Sequence, residues 1–153
     1  MATLFLICGL PGSGKTMLAK QLEISKSALR LCPDEWIAQI LADPGEISEL
    51  DRLRSPIESV QWDVAKRLLA LGVNVILEWG FWSKAERSHY RIAAEELGAH
   101  VELHYLNVRL NELWERLSKR NSQLPPGTFA VTKENLELWA KSFEPPADDE
   151  IFD

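Results

Sequence analysis

Residues 9–16 read Gly-Leu-Pro-Gly-Ser-Gly-Lys-Thr and match the phosphate-loop pattern G-x-x-x-x-G-K-S/T at every fixed position. Glycines let successive backbone N–H groups converge on phosphate oxygens, and a helix that begins at the loop directs its positive end at the same anion. We therefore predict that this loop binds nucleotide phosphates. Within it, Lys15 would supply a cation to the β- and γ-phosphates, and Thr16 would offer a hydroxyl to Mg²⁺. The predicted phosphate contacts are Gly12, Ser13, Gly14, Lys15, Thr16 and Met17.

Predicted strands and helices alternate on both sides of this loop. Short apolar runs predict strands over residues 3–8, 28–32, 73–77 and 101–106. Helical patterns and caps predict helices over residues 15–23, 35–41, 111–120 and 133–142, and others that begin near Pro56 and Ser83. This alternation predicts an α/β fold with a doubly wound parallel sheet of four or five strands. Together with the phosphate-loop motif, it indicates a fold of the P-loop NTPase or nucleoside-kinase type. Residues 1–153 would form a single domain, with its ligands at the carboxyl ends of the strands.

Composition excludes several classes of protein. Only two cysteines occur, Cys8 and Cys32, so a disulfide framework and a four-cysteine zinc site are excluded, and a reduced, cytoplasmic setting is favoured. No apolar stretch reaches the 18 residues that predict a membrane span. The net charge is −6, which disfavours a large nucleic-acid partner, although a local basic groove remains open.

Two acidic residues follow or end predicted strands and are candidates for the chemistry. Asp34 follows the second strand, where a carboxylate near a γ-phosphate would accept the proton of an attacking hydroxyl. The alternative is that Asp34 only caps the helix after Pro33. Glu78 closes the third strand, where it would hold Mg²⁺ through water or hydrogen-bond the substrate, unless it is a surface acid.

Arginines and tryptophans supply the other candidates. Arg116 and Arg120 lie four residues apart on one predicted helix face, so they would stabilise transferred phosphate from a short lid near residues 116–127, unless they form an exposed basic face. Trp79 and Trp82 follow the third strand. Their rings would form a stacking wall for a flat or apolar substrate, or would serve packing alone. Trp62, Trp114 and Trp139 are expected in the core or between helices.

These motifs together resemble the small P-loop kinases of the AAA_33 group, which is similar to zeta toxins and polynucleotide kinases. The resemblance is carried by the phosphate loop, by Asp34, by residues 75–83 with Glu86 and Arg87, by residues 116–120 and by residues 143–146. It implies ATP and Mg²⁺ as cofactors and transfer of the γ-phosphate to a hydroxyl, with Asp34 as general base. It also implies that Arg120, and Arg116 with it, belongs to a lid, and that Arg87 lies near the acceptor or supports the loop after the third strand.

The expected function is therefore an ATP-dependent phosphotransferase that acts on a hydroxyl of a small molecule. Lys15, Asp34 and Arg120 would be catalytic, and Asp34, Glu78, Trp82 and Arg87 would bind the acceptor. Two alternatives stay open: a 5′-hydroxyl polynucleotide kinase, and a nucleotide-binding ATPase module without an acceptor.

Overall fold

The computed structural model describes residues 1–41, 47–125 and 128–150. The strands are β1 (Thr3–Cys8), β2 (Ala28–Leu31), β3 (Asn74–Gly80) and β4 (His100–Tyr105). The helices are α1 (Lys15–Ser25), α2 (Pro33–Ile40), α3 (Ile47–Ala70), α4 (Lys84–Glu96), α5 (Leu110–Ser122) and α6 (Lys133–Ser142), and a short 3₁₀ helix spans Asp148–Glu150.

The strands form one sheet in the order β2-β3-β1-β4, and every pairing is parallel. Alternate residues of the central strand β1 face opposite sides: Leu4 and Leu6 pack with residues of α3 and α4, whereas Phe5 and Ile7 pack with residues of α1. Helices thus cover both faces, which confirms the predicted doubly wound α/β fold. Within the described part of the chain the sheet has four strands, so the lower of the two predicted numbers holds there.

Two helices begin earlier than the sequence predicts. Helix α3 has 24 residues, and Pro56 lies inside it rather than in its first turn. Proline removes one helical hydrogen bond, so the turns before it need support from tertiary packing. Leu50, from those early turns, is buried in a cluster with Ile37 and Phe129, which supplies that support. Helix α2 begins at Pro33, because proline suits the first helical position.

Residues 143–147, which follow α6, contain no helix or strand. The next residues, however, form the 3₁₀ helix, whose Glu150 carboxylate is buried against Arg87 of α4 at 2.9 Å. Arg87 also donates to the carbonyl of Phe81 at 2.8 Å, and the backbone N–H of Glu144 donates to the carbonyl of Trp82 at 2.8 Å. The end of the described chain therefore holds the loop that follows β3.

We expect Arg87→Met to destabilise the protein by about 3–5 kcal/mol, because Glu150 would be left as a buried, unpaired charge. Arg87 is only 3% exposed, so water cannot replace it. The free energy of unfolding is measured by urea denaturation. The double variant Arg87→Met with Glu150→Met is the control and should recover part of the loss. A loss below about 1 kcal/mol in the single variant would contradict a buried ion pair.

Candidate active site

The phosphate loop connects β1 to α1 at the carboxyl edge of the sheet. Gly12 and Gly14 have φ angles of 84° and 98°, a left-handed conformation that favours glycine. A Cβ on Gly12 would also lie 2.9 Å from Leu117 of α5, so this position excludes larger residues for a second reason. The loop borders a cavity of about 980 Å³. Of the six residues predicted to bind phosphates, Gly12, Gly14, Lys15, Thr16 and Met17 line it, whereas Ser13 is buried and does not.

The Lys15 ammonium donates hydrogen bonds to the loop's own carbonyls, at 3.0 Å to Gly9 and 3.1 Å to Leu10. Burial lowers the pKa of Lys15 to about 8, although the nearby charge of Glu78 opposes this shift. An anion brought to this ammonium would favour its charged form. Phosphate binding and protonation of Lys15 are therefore coupled.

This coupling predicts that ATP affinity falls as the pH rises above about 8. Below that pH the free protein already carries the Lys15 proton, whereas above it binding must take up a proton. The decrease should approach roughly tenfold per pH unit. Isothermal titration calorimetry at pH 7 and pH 9, in two buffers of different ionisation enthalpy, should show proton uptake only at pH 9. The Lys15→Arg variant, which stays charged, should lack this uptake. Equal affinity of the wild type at both pH values would contradict the coupling.

Thr16 and Glu78 come together across the sheet edge. The Thr16 hydroxyl donates to Glu78 Oε2 at 2.7 Å, and the other carboxylate oxygen accepts from Arg30 at 2.9 Å. Glu78 lies inside β3 and is 6% exposed, so the interpretation as a surface acid at the strand's end is wrong. Sequence analysis missed Arg30, whose partner lies on the neighbouring strand β3.

The donor set at this point suits a magnesium ion. Mg²⁺ takes oxygen ligands, keeps several waters, and is commonly bound beside nucleotide phosphates by one or two protein oxygens. A hydroxyl and a carboxylate in contact, both lining the cavity beside Lys15, meet that requirement. Residues 1–41, 47–125 and 128–150 contain no cluster of three or more His, Cys, Asp or Glu that would hold a metal alone.

Asp34 lines the same cavity and belongs to the first turn of α2. The N-cap of that helix is Cys32, and no side chain caps it, so the interpretation of Asp34 as a helix cap is wrong. The carboxylate instead lies 3.4 Å from the guanidinium of Arg54. Its Oδ1 is buried and accepts no hydrogen bond from the described residues. The Asp34 Oδ1 is therefore available to accept a hydrogen bond from a ligand in the cavity.

Arg116 and Arg120 both project from α5 onto the cavity. Arg116 donates to Glu112 at 2.8 Å and to the carbonyl of Gly12 at 3.4 Å. Burial lowers the pKa of Arg120, and the negative charge of Asp34 opposes the shift. The structure thus brings Arg120 and Asp34 to the same site, as the sequence predicts. Because Arg116 and Arg120 both line the cavity, they do not form only an exposed basic face of the helix.

The predicted lid over residues 116–127 is largely helix. Residues 116–122 belong to α5, Leu117 is fully buried, and Asn121 accepts from and donates to the backbone of Val131. Pro126 and Gly127 lie outside the described residues. That this segment moves as a lid remains a prediction.

The predicted tryptophan wall divides into two roles. Trp82 lines the cavity, donates to the carbonyl of Gly9 at 3.3 Å and packs beside Trp139, with ring centroids 5.6 Å apart. Trp79 also borders the cavity but is 4% exposed, and its indole N–H donates to Gln61 at 3.0 Å. Trp79 is therefore mainly a core residue, whereas Trp82 and Trp139 present rings to the cavity.

Arg87 occupies a different place from the predicted acceptor site. It does not line the cavity, and its guanidinium donates hydrogen bonds to the carbonyl of Phe81 and to the carboxylate of Glu150. Phe81 has a φ of 48°, an unfavourable conformation for a bulky residue. Arg87 therefore supports the loop after β3, the second of the two roles that the resemblance implies.

Sequence analysis missed several cavity residues as site residues, among them Arg54, Glu58, Glu86 and Trp139. They come from α3, α4 and α6, far along the chain from the phosphate loop. The spacing of Arg54 and Glu58, four residues apart, is typical of any exposed helix. Glu86 enters the sequence analysis only as part of the resemblance, and in the structure its backbone N–H donates to the Ser83 side chain that caps α4. No local signal distinguishes these residues from surface or packing positions.

Three solved structures show how widely this fold is shared. Kti12 of Chaetomium thermophilum in complex with ADP-AlF3 is 20% identical, with a TM-score of 0.68 over 94% of this chain and 81% of that chain. A Chloroflexus aurantiacus protein that is provisionally assigned as a kinase is 18% identical, with a TM-score of 0.74 over 95% and 82%. A gluconokinase of Sinorhizobium meliloti is 15% identical, with a TM-score of 0.63 over 96% and 78%. At these identities the likeness shows the fold.

No curated protein matches the sequence. None of the helices among the described residues is long and apolar enough to cross a membrane. The model of the AAA_33 family, described as an AAA domain, matches residues 4–146 and so spans the phosphate loop, the sheet and the helices that surround the cavity. This chain belongs to the AAA_33 family of P-loop proteins.

Proposed function

We propose that the protein transfers the γ-phosphate of ATP to a hydroxyl group of a small molecule, with Mg²⁺ bound beside the phosphates. The observation that carries this proposal is that Lys15 of the phosphate loop and Asp34 of α2 line one cavity. Both follow the carboxyl ends of strands in the same sheet. A phosphate-binding group and a carboxylate that does not cap its helix thus share one chamber. Kinase-like neighbours of the same fold support the proposal.

The phosphate end of the cavity would bind the triphosphate. Backbone N–H groups of the loop and the Lys15 ammonium would neutralise the β- and γ-phosphates, and the N-terminus of α1 would add its positive dipole. Thr16 and Glu78 would hold Mg²⁺, which when bound neutralises charge on the β- and γ-oxygens. Arg30 fixes the Glu78 carboxylate by its hydrogen bond at 2.9 Å, so the position of that ligand is set before nucleotide arrives.

The acceptor would enter on the side of Asp34 opposite the phosphate end of the cavity. The hydroxyl oxygen of the acceptor forms a bond to the γ-phosphorus while the bond from that phosphorus to the bridging oxygen of ADP breaks. Asp34 orients the hydroxyl and accepts its proton. Arg120, with Arg116, stabilises the charge on the phosphoryl group in transfer. Trp82 and Trp139 close one side of the chamber and limit the access of water to the phosphoryl group.

A test starts from a screen of hydroxyl compounds with ATP labelled at the γ-phosphate. We expect labelled phosphate to appear on at least one small molecule and the transfer to require Mg²⁺. Transfer only to 5′-hydroxyl oligonucleotides would favour the polynucleotide kinase alternative. ATP hydrolysis that no acceptor stimulates would favour the ATPase alternative. No change in melting temperature at millimolar ATP·Mg²⁺ would contradict nucleotide binding itself.

A further inference from the structure

The charges that line the cavity are separated into two ends. Most of the basic lining side chains come from α1 and α5, beside the phosphate loop where ATP phosphates would bind; they are Lys15, Lys20, Arg116 and Arg120. Glu78 and Glu35 are the acidic lining residues that accompany them. Beyond Asp34, the lining residues of α3 and α4 are mainly acidic and include Glu58 and Glu86, with Arg54 between the carboxylates. A cavity with one cationic end and one anionic end selects ligands of matching polarity.

Arg54 does not neutralise the acidic end. Its guanidinium is shared between Asp34 at 3.4 Å and Glu58 at 3.2 Å. Glu86 faces these groups from the first turn of α4 and is half-buried. Four acidic side chains line this part, Asp34, Asp51, Glu58 and Glu86, and they carry four formal negative charges. Two positive charges oppose them, those of Arg54 and of Arg120, which lies near Asp34. This part of the cavity therefore has an excess of negative charge.

The acidic side chains repel one another in this setting. Burial raises the pKa of Glu86, and repulsion from Glu58 is the next largest cause of that rise, with Arg54 and Arg87 opposing it. Burial also raises the pKa of Glu58, with Arg54 opposing the shift. Both carboxylates would gain from a bound cation, because a positive charge in a partly desolvated site favours their ionised forms.

We propose that the acceptor alcohol carries a cationic amine, which Glu58 and Glu86 bind while its hydroxyl lies at Asp34. This inference rests on the proposed function, because it concerns the acceptor of the same reaction. The rings of Trp82 and Trp139 border the same chamber and offer faces that favour a cation or an apolar ring. A neutral alcohol loses the ionic contacts, and an anionic one is repelled by the acidic end.

The same arrangement disfavours a polynucleotide acceptor. A nucleic-acid strand brings a phosphate with each nucleotide, and its binding depends on basic contacts. Arg54 is the one basic lining residue that the described part of α3 and α4 contributes, and two carboxylates already contact it. An amino sugar or an amino alcohol fits this charge pattern better.

The test compares matched alcohols that differ in charge: amino sugars, the parent neutral sugars and the corresponding sugar acids, with simple amino alcohols and their diols added. Transfer of γ-labelled phosphate is measured for each at saturating ATP·Mg²⁺. We expect kcat/KM to be on the order of 10- to 100-fold higher for the amine of each matched set, because one or two charge-assisted hydrogen bonds contribute an effect of that size. Equal or higher values for neutral or acidic alcohols would overturn the inference and leave the proposed function intact.

Variants test the two carboxylates directly. Glu86→Gln should lower kcat/KM for the amine by roughly tenfold or more, mainly through KM, and should lower it much less for the neutral parent. Glu96→Gln, at the exposed end of the same helix, is the matched control and should change neither. An equal loss for both alcohols would mean that Glu86 only maintains the fold. If no alcohol of any charge accepts phosphate although ATP binds, the proposed function fails and the inference fails with it.

Discussion

Lys15→Ala should abolish measurable phosphoryl transfer and remove most of the stabilisation that ATP·Mg²⁺ gives to the wild type. The side chain is the one mobile cation of the phosphate loop, and charge builds up on the phosphates it contacts during transfer. We expect the rate to fall by roughly 10³-fold or more. The measurements are ATP turnover and the melting temperature with and without ATP·Mg²⁺.

The fold should tolerate this change. Burial disfavours the charged form of Lys15, as its lowered pKa of about 8 indicates, so removing the ammonium relieves an unfavourable interaction at neutral pH. The free energy of unfolding without nucleotide should therefore be unchanged or higher. Lys141→Ala, at an exposed position of α6, is the matched control and should retain both turnover and the thermal shift. Full turnover in Lys15→Ala would refute the assignment of this loop.

Asp34→Asn should bind ATP nearly normally and lose most phosphoryl transfer. Asparagine keeps the size of the side chain but cannot accept the proton of the acceptor hydroxyl, and loss of a general base typically lowers the rate on the order of 10²- to 10⁴-fold. Phosphoryl transfer is often loose, so the low end of that range is expected. The rate is measured with the acceptor that the screen identifies, and ATP binding is measured by calorimetry.

The structure sharpens this test because Asp34 is not the N-cap of α2. A loss of rate in Asp34→Asn cannot then be attributed to fraying of that helix. The ion pair with Arg54 is partly exposed, so its loss should change the free energy of unfolding by less than about 1 kcal/mol. Asp63→Asn, an exposed change on α3, controls for a general effect of removing a carboxylate. Near-full activity of Asp34→Asn would assign the proton acceptor to another carboxylate of the cavity.

The sequence predicts one half of this site better than the other. Lys15, Thr16, Asp34 and Glu78 all lie on or just after parallel strands, and parallel strands place their carboxyl ends at one edge by geometry alone. Their association therefore follows once the strands are recognised. The class of fold could be predicted for the same reason, since the alternation of strands and helices is encoded locally.

The acceptor half depends on how helices pack, and local patterns do not encode that packing. Arg54 reaches the cavity only because α3 begins before Pro56, a start that sequence rules for proline argue against. Trp139 reaches it through the contact of α6 with α5. Arginine is a residue type that often binds ligands, which is why Arg87 is a candidate in the sequence. Its partner Glu150 lies 63 residues away, so only the folded chain shows that pair.

The pairing of Arg87 with Glu150 also sets an order for assembly during synthesis. The residues that surround the phosphates are complete once α5 has been made, at residue 122. The loop that carries Trp82 is held by the backbone of Glu144 and by Glu150, which leave the ribosome last of the described residues. Because a chain folds from its first-made end as it emerges, the phosphate-loop side of the chamber and its acidic residues can form before Trp139 and the contacts that hold the Trp82 loop have been made. The growing chain thus acquires a surface suited to phosphates before the tryptophan side of the chamber is in place.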